Sequence, residues 1–235
     1  CFRSTTKGLM KKNLIVTGGI FHPFEETSNS LSNILSEMDY VSEITTDVEK
    51  GFSNLNNYDL LTMNFLRWRM LNHEKYIPYL DEWQFSLSKQ GQEHLKNYLK
   101  NGGSIIAFHT SSICFDDWSD YKKVIGGKWV WDKTYHPPQG IVEISPINGH
   151  EISENIDSFK INDEIYHHLE LENSSEPFLK GLTKETNEEH IIGWTYQFEK
   201  GKVVYNALGH DSESLENENF VKIIKQSINW LEGKE

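Results

Sequence analysis

Ser104 to Phe108 (SIIAF) is an uncharged run without polar/apolar alternation, entered through Asn101-Gly102-Gly103 and left through His109-Thr110-Ser111-Ser112. A strand that kept one face in water would alternate. This one does not, so it requires cover on both faces, the situation of a central strand in a parallel sheet. Two more runs share that character: Asn13 to Thr17 (NLIVT) ends at Gly18-Gly19, and Tyr58 to Met63 (YDLLTM) opens into a loop.

Helical patterns separate these runs. Ser28 or Asn29 can cap a helix with Leu31, Ile34, Leu35 and Met38 on one face, and a strand follows at about Val41 to Thr45. Glu93 to Lys100 predicts a short helix carrying Leu95, Tyr98 and Leu99, stopped by a left-handed turn at Asn101-Gly102-Gly103. After a short helix around Trp118 to Ile125 the pattern becomes β-like at Gly140 to Ser145 and Lys160 to Leu171. Ile191 to Phe198 and Lys202 to Ala207 read as a hairpin around Glu199-Lys200-Gly201. Asn219 to Leu231 is the closing helix, with Phe220, Ile223, Ile224, Ile228 and Leu231 on one stripe.

This order predicts an α/β fold of flavodoxin-like type, a mainly parallel sheet flanked by helices with a β-rich C-terminal half. Residues 10–235 are expected to form a single domain. Cys1 to Leu9 is polar and patternless, a disordered leader or remnant before Met10; a lipid-bearing Cys1 is the other reading. Residues 64–90 are aromatic-rich and longer than an ordinary βα connection, which suggests an insertion or lid.

Charge and cysteine usage narrow the partners. The formal charge of -12 comes from 35 acidic against 23 basic residues with no Lys/Arg cluster, which argues against nucleic acid. The two cysteines, Cys1 and Cys114, form neither a disulfide framework nor a zinc-finger spacing. No apolar stretch is long enough to cross a bilayer, so a cytoplasmic protein without a membrane partner is expected, with a homo-oligomer as one option.

Ligands of parallel sheets bind beyond the carboxyl ends of the strands, so the loops after Thr17, Met63 and Phe108 should share one site. Three of the ten histidines sit at such ends: His22 after Gly18-Gly19, His109 after SIIAF, and His210 in Ala207-Leu208-Gly209-His210-Asp211. In Asn162-Asp163-Glu164-Ile165-Tyr166-His167-His168, strand alternation would point Glu164, Tyr166 and His168 one way and Asp163, Ile165 and His167 the other. A carboxylate near imidazoles suits general acid/base work, with His109, Glu164, His22 and His210 as the catalytic candidates. His136 follows the Gly126-Gly127 break, and His109, His136, Glu164 and His210 are candidate ligands of a divalent metal. Of the tryptophans Trp68, Trp83, Trp118, Trp129, Trp131 and Trp194, flat platforms for sugar rings, Trp118 and Trp194 join Tyr166, Asp163 and His136 as candidate substrate contacts.

The ordered blocks Ile15-Val16-Thr17-Gly18-Gly19, Phe21-His22-Pro23-Phe24, Gly102-Gly103-Ser104-Ile105-Ile106-Ala107-Phe108-His109-Thr110, Asp163-Glu164-Ile165-Tyr166 and Ala207-Leu208-Gly209-His210-Asp211 resemble the ThuA-like, or trehalose-utilisation, family from about Asn13 to Gly233. The resemblance implies a class I glutamine-amidotransferase-like fold and a small-molecule carbohydrate substrate, trehalose-related or a 3-keto sugar. The turn after the central strand reads Phe108-His109-Thr110-Ser111 with no thiol, which speaks against glutamine hydrolysis. Two rivals to a sugar-processing enzyme remain at this level: a non-catalytic sugar-binding or regulatory module, and a thiol hydrolase using Cys114.

Overall fold

The computed structural model describes residues 10–182 and 188–234, so the expectation for Cys1 to Leu9 lies outside the described residues. Its framework is a nine-stranded sheet. β1 (Lys11–Gly18), β2 (Tyr40–Thr45), β3 (Leu60–Phe65) and β4 (Ser104–Phe108) pair in parallel with β11 (Gly201–Asn206), in the order β2-β1-β3-β4-β11. β10 (Glu189–Phe198), β9 (Glu176–Leu182), β6 (Gly140–Pro146) and β7 (Phe159–Asp163) continue the sheet, each antiparallel to its neighbour. Two short strands, β5 (Gly127–Lys128) and β8 (Glu170–Leu171), pair apart from it.

The apolar runs behave as their composition requires. Ile15, Val16, Leu60, Leu61, Ile105, Ala107, Val203 and Val204 are fully buried in a core sealed by helices. These helices are α1 (Phe24–Ser36), α2 (Val48–Ser53), α4 (Lys89–Lys100), α5 (Tyr121–Ile125) and α6 (Glu218–Glu232), with α3 (Leu80–Trp83) a single turn between α2 and α4. α6 is capped by the Asn217 side chain and buries Phe220, Ile223, Ile224, Ile228 and Leu231, each worth roughly 1.5–3 kcal/mol of transfer free energy. No described helix is long and apolar enough to cross a membrane.

Several boundaries differ from the sequence reading. α1 begins at Phe24 behind Pro23 rather than at Ser28, whose hydroxyl is buried and donates to Thr17 Oγ1 at 2.6 Å. α4 starts at Lys89 behind the N-cap Ser88, whose side chain accepts from Gly91 N–H. The expected strand from Lys160 to Leu171 stops at Asp163, because Asp163 and Glu164 turn toward the strand-end loops and His168 takes a left-handed φ of 59°. Residues 64–90 form no separate body: Leu66, Trp68, Met70 and Tyr76 pack with Phe24 in a second apolar cluster beside the sheet rim.

The antiparallel half bends back on itself. Four strand spacings separate β11 from β7, roughly 19 Å across a flat sheet at about 4.8 Å per strand. Yet Asp163, the last residue of β7, accepts a hydrogen bond from Gly209 N–H just after β11 at 2.8 Å. The sheet must curl to make that contact. The β10/β9 register shifts around Gly193, a β-bulge of the kind that bends and twists a strand. A β-carbon on Gly193 would stand 2.8 Å from Phe178 Cζ and 3.0 Å from Leu179 Cβ, and one on Gly181 would stand 2.6 Å from Ile165 Cδ1.

Four antiparallel steps from β11 also restore strand direction at β7, so β7 ends on the same rim as β1, β3, β4 and β11. Gly193→Ala is expected to lower the unfolding free energy by about 1–3 kcal/mol in urea titrations, the usual cost of overpacking a closed core. An unchanged midpoint would mean that the bend does not depend on this close approach.

Candidate active site

Four strands of that rim, β1, β4, β7 and β11, each deliver one side chain to the site. His109 directly follows β4 at φ 43°, a left-handed conformation that a non-glycine residue adopts only at a cost. Its carbonyl accepts from Tyr205 O–H at 2.8 Å, and its ring lies 2.6 Å from Ala207 O through Nδ1. A carbonyl only accepts, so Nδ1 carries the proton and Nε2 faces the site.

His22 follows β1 through Gly18 and Gly19, both at positive φ. Gly19 is needed on steric grounds, since a β-carbon would stand 2.7 Å from Leu66 O. The His22 Nδ1 is 3.4 Å from Ile20 O, and its Nε2 is 3.2 Å from His109 Nε2. His210 follows β11 on a turn in which Gly209 has φ 107°. Asp163 secures that turn, accepting from Gly209 N–H and, at 3.4 Å, from His210 N–H.

Glu164 is nearly buried and stands among these rings. Its Oε2 is 3.4 Å from His109 Nε2 and 3.5 Å from His210 Nδ1, and its Oε1 is 3.4 Å from His136 Nδ1. These distances are longer than those of well-formed hydrogen bonds; Glu164 Oε2 and His210 Nδ1 are buried without a hydrogen-bond partner. His22, His109, Glu164 and His210 each offer one ligand atom, all within 4.8 Å of one another.

Burial acts to raise the Glu164 carboxyl, but its contacts with His109 and His210 outweigh that and hold it well below the usual range. Burial, reinforced by His109 and His210, pushes His22 down to about 3. For His210 burial acts downward, but the Glu164 carboxylate more than offsets it and raises the imidazole. At neutral pH the site therefore holds a carboxylate, a cation-prone His210 and a neutral His22. Elsewhere, burial lowers His167 to about 4 and also lowers His190.

Above the cluster lies a cavity of about 440 Å³ whose walls include Phe21, Trp68, Tyr76, Tyr79, Trp129 and Trp131, with His22, His136, Glu164, Tyr166 and His210 also lining it. Tyr166 sits with its ring 4.7 Å from that of His109 and 5.5 Å from that of His136. A second cavity of about 920 Å³ opens on the other side of His22, beside Arg67 and Trp83.

The structure thus brings His22, His109, Glu164, His210, His136 and Tyr166 together. Other candidates fall elsewhere. Trp194 is fully buried, donating to Ile125 O at 2.9 Å and stacking on Tyr205, and Trp118 is packed in the core beside Phe115 and Tyr121. Trp129 and Trp131 take the wall positions instead. Asp163 is fully buried and holds backbone amides rather than facing the cavity. His168 leaves the alternation and joins His167 and His190. In the compact four-ligand group His22 stands where His136 was expected, because His136 Nδ1 is also engaged with Pro137 O at 2.9 Å. Cys114 is buried, donates to Phe65 O at 3.3 Å, and its thiol is pushed up to about 12 by burial, which removes it as a nucleophile. Lys75, Tyr76 and Tyr79 also line the cavity, a role for which the aromatic content of residues 64–90 is the available sequence signal, and Phe21 joins them from the block that carries His22.

The chain matches the family model of ThuA, described as trehalose utilisation, over residues 12–231, and it belongs to that family. No curated protein matches it in sequence. Among solved structures it is similar to a ThuA-like protein from Parabacteroides merdae ATCC 43184, with 13% identity, TM-score 0.75, and 95% of this chain and 91% of that chain covered. It is also similar to a ThuA-like protein from Bacteroides uniformis ATCC 8492, with 18% identity, TM-score 0.67, and 96% and 92% covered. The cold-adapted β-galactosidase from Rahnella sp. R3 contains a similar fold, with 12% identity and TM-score 0.62 over 96% of this chain and 31% of that one. At such identities these likenesses establish the fold.

His22 titrates at about 3 in the fold against an ordinary 6.5, so between those values the unfolded chain binds the extra proton. The sign is that stability is complete above 6.5 and declines as pH falls. In chelator-treated protein, His22→Asn is expected to flatten the decline in Tm between pH ~6.5 and ~5, above the range in which carboxylates titrate. An unaltered slope would contradict the assignment of a neutral, half-buried His22.

Proposed function

We propose that this trehalose-utilisation family member is an enzyme acting on a trehalose-related or 3-keto sugar by histidine/glutamate acid-base chemistry. The observation that carries the reading is a single carboxylate, Glu164, held ionised among His109, His136 and His210 at the floor of an aromatic-walled cavity. Its volume lies within the range of small-molecule sites. Aromatic faces of Trp129, Trp131 and Tyr76 suit the C–H faces of a pyranose, which positions the ring without consuming hydrogen bonds.

The polar floor suits proton transfer next to a carbonyl. Glu164 has the charge state of a base, and His109, with Nδ1 tied to Ala207 O, presents Nε2 toward it. His210, made more basic by Glu164, is the group best placed to donate a proton to a sugar oxygen. Removal of a carbon-bound hydrogen by Glu164 or His109, with donation from His210, is the step common to keto-sugar isomerisation, epimerisation and elimination.

The donor set also fits a divalent ion. Three imidazoles and a carboxylate, with Glu164 Oε2 and His210 Nδ1 otherwise unpartnered, would hold one through His22, His109, Glu164 and His210. When bound, such an ion would supply polarisation of a substrate carbonyl oxygen.

Glu164→Gln and His109→Ala are each expected to lower kcat/KM for an oxidised disaccharide by about 10²–10⁴-fold, the usual contribution of a general acid or base, with folding retained by circular dichroism. Undiminished turnover in both variants would reject these roles. Sugar binding without turnover by the unmodified protein would instead favour a binding module.

A further inference from the structure

A second group of imidazoles lies apart from the cavity floor. His167, the neighbour of Tyr166, has ring contacts with Tyr135, His168 and His190. The loop that carries it is fixed by backbone: His167 N–H donates to Tyr135 O at 2.8 Å, and Thr134 Oγ1 donates to His168 O at 3.1 Å. The third ring, His190, sits at the start of β10, stacked on His167 with centroids 3.8 Å apart.

Two of these rings are costly as they stand. His167 is fully buried and His190 is 6% exposed. Both ring nitrogens of His167, and Nε2 of His190, have no hydrogen-bond partner among the described residues. Buried polar atoms in folded proteins are satisfied with few exceptions, and an orphaned pair facing each other calls for a missing partner. A cation that accepts a lone pair from each of several neutral imidazoles would satisfy them together. A lone proton could serve only one such pair, and burial keeps both rings neutral.

The geometry points to a second metal site formed by His167, His168 and His190, taking a late first-row divalent ion such as Zn²⁺. Their ligand nitrogens already lie within 4.8 Å of one another. A tetrahedral ion with Zn–N of about 2.0–2.1 Å needs them about 3.4 Å apart with converging lone pairs, so the stacked His167 and His190 rings turn out of parallel to bind it. His168 is exposed, with its ring in contact with those of His167 and His190, and His190 and His167 start from a stacked position. Neutral imidazoles without thiolates favour zinc, nickel, cobalt or copper over magnesium or calcium. The Glu188 carboxylate, 3.8 Å from His190 Nε2, can complete the shell or orient that ring. Such an ion would tie the loop after β7 to β10 and leave the carbohydrate cavity untouched.

Co²⁺ serves as the probe because its visible absorption reports tetrahedral coordination. Chelator-stripped protein is titrated and bound equivalents are counted in the wild type, His168→Ala and His22→Ala. His168→Ala, at an exposed position, is expected to bind one equivalent fewer than the wild type, with affinity for that equivalent reduced at least about 100-fold, beyond the cost of losing an outer-shell partner. His22→Ala is expected to retain it, whether or not the cluster around Glu164 loads. His168→Gln, closer in size, should reproduce the loss if His168→Ala fails to fold. Equal stoichiometry and affinity in the wild type and the folded His168 variant would overturn the site, and so would loss of the same equivalent in His22→Ala.

Discussion

The contact between the Asp163 carboxylate and the amide of Gly209 joins two parts of the sheet that a flat arrangement would hold far apart. Asp163 is fully buried, and burial raises its carboxyl even against the pull of the nearby His109 and backbone amides. Such a group is retained because its acceptor oxygens serve several amides at once: those of Glu164, Gly209 and His210. An apolar residue at this position would leave those donors without partners, at about 1–3 kcal/mol each. Closure of the sheet and placement of Glu164 are therefore one event.

The chemistry of the rim follows from that closure. Strand direction alone would gather His22, His109 and His210, and such a cluster would be purely cationic on protonation. The end of β7 adds the single carboxylate that balances it and separates the proton affinities, keeping Glu164 ionised while raising His210. The backbone contributes the tautomer: Ala207 O fixes His109 Nδ1–H, so the reactive nitrogen faces inward. His109 itself holds a left-handed φ at this place, a backbone cost borne by the residue that turns its ring into the site.

How much of this was legible depends on what each residue had to satisfy. The parallel half could be read because strands buried on both faces carry apolar residues without alternation, as Leu14 to Val16 and Ile105 to Phe108 do, all of them buried. β9 (Glu176–Leu182) passed unnoticed because Pro177 and Gly181 interrupt its pattern, and Gly181 is there for the close approach of Ile165. The strand-end histidines were legible from topology, as was Glu164, whose orientation toward them agrees with the alternation that His168 then breaks. The tryptophans were not: Trp194 and Trp129 are alike in sequence terms, and only packing assigns one to the core and the other to the cavity wall. Asp163 was misread for a related reason, since a carboxylate that holds backbone amides is indistinguishable in sequence from one that meets a ligand.

A double-mutant cycle between Glu164→Gln and His210→Gln, read as unfolding free energy in metal-free buffer, tests the convergence on the rim most directly. Side chains in contact couple by roughly 0.5–3 kcal/mol, whereas those more than about 7–10 Å apart add to within ~0.3–0.5 kcal/mol. The geometry described above predicts clear coupling, because each single change removes the charge partner of the other, in one case of the buried Glu164. Additivity of the two substitutions would contradict it and would place Glu164 away from the strand-end histidines.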